Sequence, residues 1–196
     1  MNDAGFGFKG PFDELDADVA TAVVDVDVTA VHRLALAAAP AMVRSGRSGI
    51  LNVSSIAGFT ATSGGATYSA AKAFVTSLSE SLHVELRPHG VHVSALCPGF
   101  TRTEFQSRAS DVTSSISDAA WQTAERIAQA RLHGVEKNRA IAVPGAANKL
   151  MAPAVNAFPA RVRWSGSSRR LTRPVDRPTG SGERQTVDRA IDQIVH

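Results

Sequence analysis

The chain has 196 residues, of which 43% are hydrophobic and 20% charged, with a formal net charge of +3. This composition is that of a globular protein large enough to bury a core. No apolar stretch approaches a membrane span and no charged-then-apolar leader opens the chain, so we expect a cytoplasmic protein without membrane contact. The single cysteine, Cys97, excludes an intrachain disulfide and a cysteine-cluster metal site.

Helical and strand patterns alternate along most of the chain, as in β-α units. The predicted elements, in chain order, are helices over 13–24 and 27–43, a strand over 49–54, a helix over 66–86, a strand over 91–96, a helix over 118–133 that Ser117 caps, a strand over 139–143 and a helix over 146–157. Strands that do not alternate and are separated by helices favour an α/β fold with a parallel sheet covered on both faces.

The end of the chain differs from the rest in composition. Between Arg161 and Arg189 there are eight arginines and three acidic residues, a net charge of +5, without helical or strand periodicity. This pattern predicts a basic, disordered tail. An arginine-rich tail can bind nucleic acid electrostatically, but aromatic residues are not interleaved beyond Trp164 and no nucleic-acid fold is recognisable. We therefore expect no nucleic-acid partner.

A glycine motif near the start matches a dinucleotide fingerprint. Gly5, Gly7 and Gly10 have the spacing G-x-G-x-x-G. The fingerprint needs a preceding strand and an immediately following helix whose N-terminus faces the pyrophosphate. Only four residues precede Gly5, and Pro11 follows Gly10 before any helical pattern. The context therefore favours a loop.

Three residues in the middle of the chain have spacings that suit carbonyl chemistry. Tyr68 and Lys72 are four residues apart, so one face of a helix presents both, about 6 Å apart along its axis. Ser55 follows the apolar strand over 49–54. A strand end that leads into a helix is where open α/β sheets place their active sites.

With Asn2-Asp3-Ala4-Gly5 before them and Cys97-Pro98-Gly99-Phe100-Thr101-Arg102-Thr103 after them, these residues resemble the short-chain dehydrogenase/reductase family. The resemblance covers about residues 2–159. It implies a partial doubly wound, Rossmann-like parallel sheet with helices on both faces. Family members open with a strand, a glycine-rich turn and a helix, and residues 2–5 match a segment after the fourth strand. We therefore expect a truncated domain over 1–159 that lacks the N-terminal half, and a tail over 160–196.

The resemblance also implies an activity. It is that of an oxidoreductase that transfers a hydride between NAD or NADP and a carbonyl or alcohol substrate. Tyr68 would be the acid/base, and Lys72 would lower the pKa of its phenol and contact the nicotinamide ribose. Ser55 would hold the carbonyl oxygen, so that a developing oxyanion meets two donors. No metal is implied.

The family pattern further implies a set of cofactor contacts. They are Asn2, Ala4 and Gly5 near the adenosine ribose, Tyr68 and Lys72 near the nicotinamide ribose, and Pro98, Gly99, Thr101 and Thr103 near the nicotinamide. These contacts have structural alternatives. For example, Gly5 and Gly99 could supply turn geometry alone, and Thr103 could cap the following segment.

One catalytic position departs from the family pattern. Where family members usually have an asparagine, twenty-eight residues before Ser55, this chain has Asp27. A carboxylate there would add a negative charge that opposes the effect of Lys72 on Tyr68. The alternatives are that Asp27 caps the helix or pairs with a base elsewhere.

We expect a homo-oligomer formed through the long helices.

Several points remain open. The substrate is not predicted, because residues 100–115 would form a variable lid, and neither is the choice between NAD and NADP. The alternative function is a catalytically silent fragment or pseudoenzyme that acts only through protein contacts.

Overall fold

The structure is a computed structural model that describes residues 1–7, 10–61, 63–101, 121–123, 127, 137–145 and 148. Its elements are α1 (Ala17–Val24), a π-helical segment (Asp25–Ala30), α2 (Val31–Ser45), β1 (Ser48–Val53), α3 (Ala66–Leu86), β2 (Val91–Leu96) and β3 (Ile141–Ala142), with 3-10 turns at Phe12–Glu14, Ile56–Phe59 and Arg87–His89. Within these ranges, no helix has the length and apolar character to cross a membrane.

The strands form a parallel sheet in the order β1-β2-β3. Asn2 extends this sheet on the free side of β1, where it pairs in parallel with Asn52. Its amide donates to the carbonyl of Leu51 at 2.8 Å, and its carbonyl accepts from the amide of Val53 at 2.9 Å. The predicted α/β fold with a parallel sheet is therefore confirmed.

Both faces of the sheet are covered by apolar side chains. Successive strand residues point to opposite faces, which divides the core into two clusters. One cluster contains Leu51, Leu96, Ile127 and Ala142. The other contains Ile50, Val91 and Val93, against which Met42, Val43, Leu82 and Leu86 pack from α2 and α3. Burial on both faces explains why the strand sequences are apolar without alternation.

The predictions for β1, α3 and β2 are confirmed, and that for α3 has the observed bounds. The prediction for 13–24 was wrong at its start, where a 3-10 turn precedes α1. Asp16 separates the two, because its side chain accepts from the amides of Asp18 and Val19 and caps the helix. The strand over 139–143 is reduced to Ile141–Ala142.

The prediction for 27–43 was wrong at both ends. The helix continues from α1 without a break through the π-helical segment into α2, and it passes Pro40 to end at Ser45. Gly46 then adopts a left-handed conformation with φ of 65°, which glycine tolerates without steric cost. The helix predicted over 118–133 was wrong at 121–123, where Gln122 forms an extended pairing with Thr101. Ile127 is helical, and the rest of that range lies outside the described residues. The helix over 146–157, apart from Asn148, and the tail over 160–196 lie outside the described residues.

Candidate active site

Several predicted site residues lie at the carboxyl ends of neighbouring parallel strands. Asn2 lies beside the end of β1, Ser55 follows β1, and Pro98 follows β2. Two backbone hydrogen bonds continue the ladder beyond the strands: the amide of Ser54 donates to Leu96 at 2.7 Å, and that of Ile56 donates to Pro98 at 3.0 Å. Because the strands are parallel, these segments meet at one edge of the sheet, where open α/β folds bind ligands.

Ser55 is fixed by the turn that it begins. Its backbone is extended, and its side-chain oxygen accepts from the amide of Ala57 at 3.1 Å, so that it caps the 3-10 turn Ile56–Phe59. The Ser55 hydroxyl also hydrogen-bonds the phenol of Tyr68. The predicted proximity of Ser55 and Tyr68 is thus observed, although they are thirteen positions apart in the chain.

Lys72 lies one turn after Tyr68 on α3, with its ammonium 5.5 Å from the centre of the Tyr68 ring. The ammonium donates to the backbone carbonyl of Val53 at 3.3 Å. The backbone of Lys72 is itself held, because its carbonyl accepts from Ser54 at 2.8 Å and from Thr76 at 3.0 Å. The end of β1 therefore fixes the position of this turn of α3.

Asp27 comes to the same place from the π-helical segment. It is fully buried, and its carboxylate lies 3.1 Å from the Lys72 ammonium. It is not a helix cap, because helical residues precede and follow it without interruption. Single turns of π-helix frequently occur at functional sites, and no periodic pattern in the sequence indicates this one.

Two glycines of the G-x-G-x-x-G motif allow the N-terminal loop to approach these side chains. A Cβ atom on Gly5 would lie 2.6 Å from the nearer carboxylate oxygen of Asp27 and 3.0 Å from the Lys72 nitrogen. A Cβ atom on Gly7 would lie 2.6 Å from the Tyr68 ring. No α-helix follows Gly10 directly, since α1 begins at Ala17. The described part of the motif therefore packs on the site residues.

The electrostatics of the site keep the Tyr68 phenol protonated. Burial raises the pKa of Tyr68 to about 12, the hydrogen bond from Ser55 opposes this rise, and the Asp27 charge adds to it. Burial also raises the pKa of Asp27, against the lowering effects of Lys72 and the Phe6 amide. The sequence predicted a lowered phenol pKa, because it does not show that the fold partly buries Tyr68.

The loops after β2 and β3 bring further predicted residues to this edge. The Thr101 hydroxyl donates to the Gly99 carbonyl at 3.1 Å, while Thr103 lies outside the described residues. Gln122 and Asn148 were not predicted, and their side-chain amides donate to the Pro144 carbonyl at 2.9 and 3.1 Å. Asn148 also packs on Gly99. Neither residue stands in a motif, so no sequence signal indicated them.

Known proteins are similar to this chain in sequence. The family model described as short chain dehydrogenase matches residues 1–113. An uncharacterized oxidoreductase of Myxococcus xanthus is 43% identical over 82 residues, which are 42% of this chain and 32% of the relative. The 2,5-dichloro-2,5-cyclohexadiene-1,4-diol dehydrogenase of Sphingobium indicum is 36% identical over 102 residues, which are 52% of this chain and 41% of the relative.

Solved structures give the same result. A short-chain dehydrogenase from Sphingobium yanoikuyae, determined in complex with NADPH, superposes with a TM-score of 0.70 and 32% identity, and the match covers 90% of this chain and 67% of that one. The chain thus spans less than half the length of the two curated relatives. The family match over more than half of the chain, at the segment that carries Ser55, Tyr68 and Lys72, identifies it as a member of the short-chain dehydrogenase family.

Proposed function

We propose that the chain carries the catalytic part of an oxidoreductase that moves a hydride between NAD or NADP and a carbonyl or alcohol substrate. The observation that carries this proposal is the convergence of Ser55, Tyr68 and Lys72 at the carboxyl edge of the sheet. Membership of the family supports the reaction class. The structure of the Sphingobium yanoikuyae relative with NADPH supports a nicotinamide cofactor.

The residues present fit such a cofactor at the ribose. An ammonium has three donors. In the described part of the chain, the Lys72 ammonium donates to the Val53 carbonyl and forms an ion pair with Asp27 at 3.1 Å. Donor capacity is therefore left for a ribose hydroxyl. Asn2, Ala4 and Gly5 on one side, and Pro98, Gly99, Thr101 and Thr103 on the other, are the further proposed contacts. When bound, the cofactor would supply or accept the hydride.

The chain's own residues would handle the proton. Tyr68 would donate its phenolic proton to the carbonyl oxygen as negative charge develops there, and Ser55 would turn its hydroxyl toward the same oxygen. A pKa of about 12 keeps Tyr68 protonated at neutral pH, which is the state that reduction requires. Alcohol oxidation would require the phenolate and therefore an alkaline solution.

The substrate class follows from what the site can do. A phenol and a hydroxyl that both address one oxygen suit a carbonyl compound or the alcohol formed from it. The Sphingobium indicum relative is named for a diol on a six-membered ring, so cyclic secondary alcohols and the corresponding ketones are the first substrates to test on this chain. An acyclic secondary alcohol is the control that shows whether the site prefers a ring.

Two assays test the proposal. We expect the 196-residue chain to bind NAD or NADP weakly or not at all in calorimetry, because no strand-glycine-helix unit for the pyrophosphate is visible in its sequence. A micromolar dissociation constant would contradict this expectation. Activity is to be measured on an extended protein, meaning this chain joined at its N-terminus to the strands, helices and glycine-rich turn with which family members open.

The extended protein should reduce a ketone, and Tyr68→Phe should lower the turnover about 100-fold or more, because only the transferable proton is lost. Cofactor affinity should stay nearly unchanged, whereas Lys72→Ala should weaken both turnover and cofactor binding. Turnover of Tyr68→Phe within tenfold of the original would exclude Tyr68 as the acid. A folded extended protein that binds cofactor but turns over no substrate would favour the silent alternative.

We also propose a homo-oligomer formed through the long helices. Leu34 and Leu36 on α2 and Phe74 on α3 are exposed apolar side chains, at 53%, 66% and 38% of their full accessibility. Contact with a second copy would remove this apolar surface from water. Analytical ultracentrifugation of the chain and of Leu36→Ser tests the proposal, which a monomer at all concentrations would contradict.

A further inference from the structure

Asp27 is the residue that distinguishes this site from the family pattern. We propose that Asp27 is a positioning residue, whose carboxylate holds the Lys72 ammonium and keeps Tyr68 protonated to higher pH than a neutral residue would. This inference rests on the proposed function of Tyr68 as the acid. It adds that the site is set for proton donation, so that the phenolate needed for alcohol oxidation forms only in more alkaline solution.

The fold holds the carboxylate in place. Asp27 lies in the middle of the π-helical segment, next to the buried side chain of Val26, and none of its surface is exposed. The N-terminal loop packs against the ion pair at Gly5, where there is no space for a Cβ atom. The carboxylate is therefore shielded from solvent, and the Lys72 ammonium at 3.1 Å is its cationic partner.

The same contact fixes the position of Lys72. A lysine side chain carries a compact charge on a flexible four-carbon stem, so it needs partners to stay in one place. Val53 holds the ammonium from β1 and Asp27 holds it from the π-helical segment. These two contacts, one from the end of β1 and one from the π-helical segment, hold the ammonium 5.5 Å from the centre of the Tyr68 ring.

The direction of the effect on Tyr68 follows from the charges. A negative neighbour disfavours the phenolate directly, and it also neutralises the field of the ammonium that would favour the phenolate. An asparagine would keep an oxygen that accepts from Lys72 but would carry no charge. Its amide would thus preserve the positioning of Lys72 and remove the electrostatic effect on Tyr68.

Three elements besides the π-helical segment contribute a described neighbour of Tyr68. Its own helix contributes Lys72, the turn after β1 contributes the neutral hydroxyl of Ser55, and the N-terminal loop contributes Gly7. Asp25 belongs to the same π-helical segment as Asp27 but is exposed. It therefore provides a matched control for a loss of charge nearby.

Tyr68 is the only tyrosine of the chain, so the ultraviolet absorbance of tyrosinate reports this phenol alone. The 196-residue chain, Asp27→Asn and Asp25→Asn are titrated with alkali, and circular dichroism defines the pH range in which each stays folded. We expect the midpoint to fall by about one pH unit in Asp27→Asn and to stay unchanged in Asp25→Asn. Asp27→Ser, a second neutral variant, should give the same fall if Asp27→Asn does not fold.

An unchanged or raised midpoint in a folded neutral variant would overturn the proposal. So would an equal fall in Asp25→Asn, because the effect would then reflect net charge. If neither neutral variant folds, Asp27 is a residue required for the structure and the proposal is also overturned. None of these outcomes depends on cofactor or turnover, so they are distinct from a failure of the proposed function, which the Tyr68→Phe activity assay decides.

Discussion

The two ends of α3 are held in place by different kinds of contact. Its first turns carry Tyr68 and Lys72, which meet a hydroxyl and a carboxylate from distant parts of the chain. Its last turns carry Leu82 and Leu86, which pack on Ile50, Val91 and Val93 of the sheet. Apolar packing tolerates exchange among similar side chains, whereas a buried ion pair loses its compensation when one partner is removed. We therefore expect substitutions in the first turns of α3 to destabilise the protein more than substitutions in its last turns.

The largest expected effect on stability tests this contrast at Lys72. Lys72→Met leaves the Asp27 carboxylate buried without a cationic partner, and we expect a loss of about 3–5 kcal/mol in the free energy of unfolding. Asp27→Asn in addition should recover most of this loss, because both charges are then absent. Urea unfolding of the single and double variants measures the coupling.

Val75→Ala provides the control for that cycle. Val75 is fully buried on the same helix, and its truncation should also destabilise the protein through lost apolar contact. Adding Asp27→Asn to Val75→Ala should recover nothing. A similar gain in the free energy of unfolding in the Lys72→Met and Val75→Ala backgrounds would show that Asp27 destabilises the fold irrespective of Lys72. The ion pair would then not explain the effect of Lys72→Met.

A smaller effect is expected from alkaline pH. The Tyr68 pKa is about 12 in the folded protein against an ordinary value of 10.0, so the unfolded chain loses this proton first. Stability is unaffected by Tyr68 below pH 10, and it falls as the pH rises from 10 toward 12, by about 3 kcal/mol in all. Tyr68→Phe should flatten this fall in urea unfolding as a function of pH. An equally steep fall in Tyr68→Phe would place its cause elsewhere.

The smallest expected effect concerns the loop that packs on the site. In Gly7→Ala the new methyl group would overlap the Tyr68 ring, and we expect a loss of about 1–3 kcal/mol together with a displaced ring. Gly10→Ala is the matched control, because its Cβ would lie 3.4 Å from Leu15, an ordinary contact. Thermal unfolding compares the two variants, and equal losses would mean that the Tyr68 contact is not the cause.

Sequence reasoning succeeded where the physical signal is local. The apolar runs of β1 and β2 and the helical period of α3 lie within short windows, and the spacing of Tyr68 and Lys72 fixes their common face. The fold class followed from the order of these elements. The start of α1 was missed because Asp16 caps the helix later than the apolar pattern begins.

The site required information that no short window contains. The pairing of Asp27 with Lys72 joins residues from separate helices, and it depends on a π-helical turn that has no periodic signature. The close approach of Gly5 and Gly7 likewise appears only when the loop lies against α3. Burial of the Tyr68 ring sets the sign of its pKa shift, and burial is a property of the whole fold.

The pH dependence of alcohol oxidation tests both the acid/base role of Tyr68 and the effect of the Asp27 charge on its pKa. It is to be measured on the extended protein at saturating cofactor and alcohol, for the original sequence, Asp27→Asn and Asp25→Asn. We expect the rise of the rate with pH to move to lower pH in Asp27→Asn alone, with each unit worth about 1.4 kcal/mol. A rise that stays in place or moves upward in Asp27→Asn would contradict the electrostatic link between Asp27 and Tyr68.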